Sequence, residues 1–133
     1  MSRTDQPAYQ HFDMIYRDTL DAEPIGGEFT YDAVYLIALA LAQAGENSPA
    51  AVRDHMGEIS RPDGDSAVPI GVGESELDKA VQNRGADLDF RGASGAIDFD
   101  PAGDITATTY AIQEIQRGED GLDFVDLELI DLP

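Results

Sequence analysis

The chain has 133 residues, 42% of them hydrophobic, with 27 acidic side chains against 8 basic ones and a net charge of −19. That length supports one domain with a real core, and the apolar fraction excludes a chain disordered throughout. The charge excludes nucleic acid and anionic membrane surfaces as partners, since both require phosphates to be neutralised by lysine and arginine.

Acid is spread over every segment, and Lys79 is the only lysine. At molar salt the Debye length contracts to about 3 Å, so self-repulsion that is costly in dilute buffer fades. The composition resembles that of proteins from salt-loving organisms, in which case the charge describes the solvent more than the task; the other reading is a specifically acidic binding surface. Cysteine is absent, which removes disulfides, zinc-thiolate centres and thiol nucleophiles. His11 and His55 are too few for most transition-metal sites. No apolar run approaches the roughly 18 residues of a membrane span, and the polar start lacks a signal peptide. Taken alone, these features point to the cytoplasm.

A first helix is expected over about 6–20, capped by Asp5 and opened by Pro7, with Tyr9, Phe12, Ile15 and Tyr16 as its apolar stripe. "EPIGGE" (23–28) breaks it. Thr30 is the expected N-cap of a second helix over 31–44, ended by Gly45. Every residue from Ala33 to Ala42 is apolar, so both faces of this helix require cover. Ser48 and Pro49 open a third helix to about Ile59, with Val52, Met56 and Ile59 inward. Residues 60–74 read as loop or short extended chain. A fourth helix over about 75–83 turns Leu77, Ala80 and Val81 inward and closes at Gly85. The period then changes to two, giving strands near 87–90, 95–99, 105–115 and 122–130.

The glycine-studded stretch "GASGAIDFDPAGD" (92–104) is the richest in chemistry-bearing groups. A calcium loop starting at Asp98 would use Asp98, Asp100 and Asp104, but Ala102 and Thr109 fall where oxygen ligands are needed. Neither "GASG" nor "GVGE" has the lysine or the strand-to-helix context of a phosphate loop. A tight turn fits better, with Gly103 supplying a positive φ after Pro101 and Ala102. No serine nucleophile signature accompanies either histidine, and with 27 acids any one carboxylate pair is uninformative. No catalytic residue, cofactor or metal is therefore assigned. Phe29, Tyr31 and Tyr35 cluster where the chain enters the second helix. They read either as core packing or, for Phe29 and Tyr31, as the lining of a small-molecule cleft.

The order "FDMIYRDTL", "YDAVYLIALALAQAG", "AVRDHMGEIS" and "DLDFRGASGAIDFDPAGDITATTYAIQEIQ" resembles the C-terminal part of a known family. It is that of the substrate-binding proteins of branched-chain amino acid ABC transporters, the type I periplasmic binding proteins or receptor ligand-binding region family. The resemblance runs from about residue 8 to 130 and rests on Tyr31-Asp32-Ala33 and on the hairpin from Gly92 to Asp104. It implies an α/β fold in which this chain, as a single incomplete domain over 1–133, supplies the C-terminal third of a two-lobed protein. Helices come first, then a β-hairpin and C-terminal strands. It implies Gly92, Gly95 and Gly103 as structural turn residues, Phe99 as packing, and Phe29 and Tyr31 as cleft positions. The implied function is capture of a small, amino-acid-like solute outside the cytoplasm for delivery to an ABC permease, without a covalent step. The signal or lipid anchor would then precede this chain, which removes the cytoplasmic expectation. The alternative is a small acidic interaction module that dimerises through helix 31–44 and takes no small ligand. In both cases self-association would cover the apolar helix.

Overall fold

The computed structural model describes residues 6–61, 64, 66–106, 108–118 and 121–132. Four helices and five strands follow in the order α1 (Pro7–Leu20), α2 (Gly27–Ala44), α3 (Pro49–Met56), β1 (Val68–Ile70), α4 (Glu74–Gln82), β2 (Leu88–Gly92), β3 (Gly95–Ala96), β4 (Thr108–Arg117) and β5 (Leu122–Leu132). The chain is an α/β fragment with helices first and small mixed and antiparallel sheets after.

The expected cap Asp5 lies outside the described residues; Gln6 holds the N-cap position of α1 without a side-chain hydrogen bond, and Pro7 occupies the first turn. Of the expected stripe, Tyr9 and Phe12 are buried and Tyr16 half-buried, but Ile15 is exposed. The seam that packs is Tyr9, Phe12 and Tyr16, and Ile15 falls on its flank.

Helix α2 starts earlier than its expected cap. Gly26 takes a left-handed conformation (φ 69°) as N-cap, the helix begins at Gly27, and Thr30 lies inside it. Two consecutive glycines permit that entry, so no side-chain cap is needed. The far end is closed twice. Gly45 (φ 67°) returns its N–H to the Leu41 carbonyl at 2.9 Å, and Arg84 donates to the carbonyls of Gln43 (3.0 Å) and Ala44 (2.7 Å). The terminal carbonyls thus keep partners, and the cation sits at the negative end of the helix dipole. In α3 the Ser48 hydroxyl accepts from the Ala51 N–H at 3.1 Å, and Ile59 beyond its end is buried.

Residues 68–70, read from the sequence as loop or short extended chain, form β1. It pairs in parallel with β2, Val68 opposite Leu88 and Ile70 opposite Phe90, and α4 makes the crossover. Pro69 is tolerated because β1 is an edge strand; its free carbonyl accepts from the Lys79 ammonium. Helix α4 buries Ala80, whose carbonyl accepts from Gln43 Nε2 at 3.2 Å. Because α2 passes over Ala80, Val81 is turned outward and is exposed, against expectation.

The core lies between α2 and this sheet. Leu36, Leu39 and Ala40 of α2 meet Ile59, Ile70, Leu88 and Phe90, all buried. Each such aliphatic or aromatic side chain contributes about 1.5–3 kcal/mol on burial. Cover ends there. On the other side of α2, Val34 is 64% and Ile37 43% exposed. Strands β4 and β5 form an antiparallel hairpin separate from the three-stranded sheet.

The double closure of α2 is testable. A methyl group at Gly45 meets a left-handed backbone and overlaps the Arg84 guanidinium. Gly45→Ala is expected to lower stability by about 1–2 kcal/mol, read as a lower urea midpoint at unchanged m-value in molar KCl. Arg84→Ala in the same background should add little, because the first substitution has already displaced it.

Candidate functional site

Asp32 lies one turn and a half into α2, and its side chain is buried. Its two oxygens accept three hydrogen bonds from the β2–β3 turn: Ala93 N–H at 2.7 Å, Ser94 N–H at 2.7 Å and the Ser94 hydroxyl at 2.6 Å. Both carboxyl oxygens of Asp32 therefore serve as acceptors for the turn. The pKa of Asp32 is nonetheless raised, chiefly by burial; the Ser94 and Ala93 bonds oppose the shift, and the charge of Glu28 one turn earlier reinforces it. Gly92 precedes the turn in direct apposition to the carboxylate, where an added Cβ would overlap its Cγ and both oxygens. So the Tyr31-Asp32-Ala33 helix and the Gly92–Gly95 turn, distant in sequence, form one joint. Gly95 (φ 120°) supplies the left-handed step beyond it.

The second hairpin turn is built by Asp100. Its Oδ1 accepts from Ala102 N–H at 2.8 Å and Asp104 N–H at 2.9 Å, and Gly103 (φ 93°) reverses the chain. Those bonds, that of Asp104 first, lower the Asp100 pKa. One carboxylate oxygen that a cation loop would need is committed to the backbone. Among the described residues no group of three or more His, Asp or Glu is disposed to hold a metal. The strand expected over 95–99 is only Gly95–Ala96. Beyond it Phe99 makes a single bridge to Ile105, because Thr106 bonds through its N–H (2.8 Å) and hydroxyl (3.1 Å) to the Asp98 carbonyl.

Above the joint runs a line of aromatic rings. Phe12 to Tyr31 is 5.2 Å between centroids, Tyr31 to Tyr35 6.0 Å, and Tyr35 to Phe90 5.6 Å with planes 10° apart. These are offset-stacked and tilted contacts worth about 0.5–1.5 kcal/mol each beyond area burial. The Tyr35 hydroxyl donates to the Gly73 carbonyl, and burial pushes its pKa up to about 12. Phe12, Tyr31 and Tyr35 of this line also line a cleft of about 540 Å³ between α1, α2 and α4, with Tyr16, Val34, Ala38 and Leu77 among its other residues. That volume suits a small organic ligand, and the walls are mainly apolar.

The two candidate ligand residues separate here. Tyr31 lines the cleft. Phe29, on the first turn of α2, is 56% exposed and is not among the lining residues. Tyr35, Phe12 and Tyr16 are the aromatic lining residues that the sequence did not assign to a site. Their signal was the i, i+4 spacing of Tyr31 with Tyr35 and of Phe12 with Tyr16, which places each pair on one helix face. A polar cleft of about 560 Å³ opens elsewhere, where His55 Nδ1 sits 2.8 Å from Glu58 Oε2 beside Arg61 and Asp87.

Over residues 1–118 the sequence matches the family described as the Receptor family ligand binding region. The chain belongs to that family. Receptor family ligand binding regions take small ligands, are typically non-catalytic and are usually extracellular or periplasmic. No curated protein and no solved structure matches the chain. Among the described residues no helix is long and apolar enough to cross a membrane. Strand β5 lies beyond the matched stretch.

Two measurements probe the joint. Asp32→Ala strands three donors and is expected to cost about 3–5 kcal/mol; Gly92→Ala, which crowds the carboxylate, should cost about 1–3 kcal/mol. Both read as denaturant midpoints. Because the folded-state pKa of Asp32 is raised, the folded chain binds more protons than the unfolded one just above the ordinary carboxylate value. The stability this confers is present below that value and lost as pH rises through the raised pKa. The gap between wild type and Asp32→Asn should therefore narrow with rising pH across that window and stay constant above it. A gap independent of pH would refute the assignment.

Proposed function

We propose that this chain is the C-terminal part of an extracytoplasmic solute-binding protein that captures an amino-acid-like solute for an ABC importer in a high-salt environment. The carrying observation is the family match over residues 1–118, joined to an apolar, ring-lined cleft on the Tyr31 face of α2. The bare outer face of α2 supports it, since a helix apolar all round is made to be covered on two sides. In this reading a second lobe provides the cover, and closure of two lobes on the solute performs the capture. Tyr31 and Phe29 are its cleft residues, Tyr31 in the aromatic floor and Phe29 projecting where a facing lobe would meet the solute. Gly92, Gly95 and Gly103 hold the turns that fix α2 to the strands. The acidity keeps such a protein soluble where salt screens its own repulsion. No step of bond making or breaking is involved.

The alternative, an acidic module dimerising through helix 31–44, is favoured by the exposure of Val34 and Ile37. One experiment separates the two. The reading frame upstream of Met1 is followed on genomic DNA, and the full coding product is titrated with a panel of amino acids by calorimetry in molar KCl. Saturable one-to-one heat is expected, and Phe29→Ala or Tyr31→Ala should weaken it about tenfold or more, near 1.4 kcal/mol, with helical circular dichroism unchanged. Silence across the panel, together with a dimer that Val34→Asp splits, would establish the module instead.

A further inference from the structure

The chemistry of the ring-lined cleft limits what can fill it. Four rings line it, Phe12, Tyr16, Tyr31 and Tyr35, and none of the described lining residues carries a charge. A charged group placed there would lose its water with no ion partner in return. Asp32, next to Tyr31 on α2, is a buried carboxylate, so an anion is disfavoured further. What enters is neutral.

Helix α2 contributes one stripe to the cleft. Gly27, Tyr31, Val34, Tyr35 and Ala38 recur at i, i+4, i+7, i+8 and i+11, so they share a face. The large side chains stand in the middle of that stripe, with a small residue at each end. Gly27 leaves room for the rings of α1: an added Cβ would come within 3.2 Å of Tyr16 Cε2 and 3.4 Å of Phe12 Cζ. At the other end Ala38 is half-buried and lines the cleft, so a longer side chain there would take up part of its space.

The rings are already packed on one another. Tyr31 and Tyr35 lie 27° apart, and Tyr35 and Phe90 10° apart. A planar guest continues such packing through offset or tilted ring contacts, whereas a branched aliphatic group contributes area alone. Position agrees with chemistry. The Tyr35 hydroxyl donates to the Gly73 carbonyl, so the cleft abuts the loop between β1 and α4. That loop leaves the carboxyl end of β1 in its parallel pair with β2, the place where open α/β sheets take ligands.

We infer, on the reading of this chain as part of a solute-binding protein, that the cleft holds a neutral, planar aromatic group of the solute and that Ala38 sets the size of ring it admits. The solute class is then an amino-acid-like molecule with an aromatic side group, its charged part held outside these walls.

The chain has five tyrosines and no tryptophan, and Tyr16, Tyr31 and Tyr35 line the cleft. Indole bound there accepts energy from tyrosine, so tyrosine emission reports its arrival. In molar KCl, indole added to the 133-residue chain should quench that emission saturably. Isopentanol should displace it only at concentrations about fivefold higher or more, and tetramethylammonium should not displace it. Ala38→Leu should weaken indole about tenfold with helical circular dichroism unchanged, while phenol, a smaller ring followed by equilibrium dialysis, is weakened less. Absence of saturable quenching, or displacement by isopentanol or tetramethylammonium as readily as by indole itself, overturns the inference. Equal weakening of phenol and indole overturns the role of Ala38. Titration of the full coding product separates this from the function proposed above. Leucine bound as tightly as tryptophan or phenylalanine keeps solute capture and overturns the aromatic class. Silence to every amino acid, while the chain still takes indole, overturns amino-acid capture and supports the cleft's selectivity.

Discussion

The buried carboxylate of Asp32 is the constraint on which the rest of this body depends. It ties the apolar helix α2 to the turn between β2 and β3 through three hydrogen bonds of 2.6–2.7 Å. No neutral side chain of that size replaces it, because the turn presents donors to both oxygens. Taking a carboxylate out of water is expensive, and the raised pKa records that cost. What the expense secures is position. With Asp32 anchored, Tyr31 and Tyr35 are held in the ring line that ends on Phe90, and Leu36 and Leu39 are aimed into the core. Gly92 completes the joint by what it lacks, since any Cβ there would occupy the carboxylate's place.

Much of this architecture was legible in the sequence, and the failures have physical reasons. Helices α1 to α4 announce themselves by apolar spacing, by Pro7, Ser48 and Pro49 at their starts and by Gly45 at an end. Thr30 misled because a threonine before an apolar run has the chemistry of an N-cap, while the Gly26-Gly27 pair opens the helix by conformation alone. Strand β1 was hidden by its shortness and by Pro69, which only an edge position excuses. The motif Tyr31-Asp32-Ala33 was visible as a resemblance, but its purpose was not. A helix carboxylate and a turn some sixty residues away leave no local periodicity that links them. The cleft was half legible: Tyr31 was singled out, whereas Phe12 and Tyr16 were assigned to packing, which they also perform.

Charge and apolar surface divide the labour in an unusual way. Among the described residues the acids are mostly on the outside, yet several large apolar side chains share that outside with them. A chain adapted to water alone would gain from exchanging Val34, Ile37, Phe124 and their neighbours for polar groups. On the proposed high-salt reading these side chains are covered in the working state, and salt moderates the repulsion on the way there. This joins the two bare regions of the molecule in one explanation without requiring that one partner cover both.

The two regions differ in what their cover would do. Val34 belongs at once to the outer face of α2 and to the wall of the ring-lined cleft. A protein surface seated squarely on that face would close the cleft's mouth, so broad cover and solute access compete there, a conflict that the proposed closing lobe would resolve. The hairpin carries no such conflict. None of its residues lines the cleft, so cover over it leaves ligand entry open. Cover on α2 is therefore tied to access to the cleft, and cover on the β4–β5 hairpin is not.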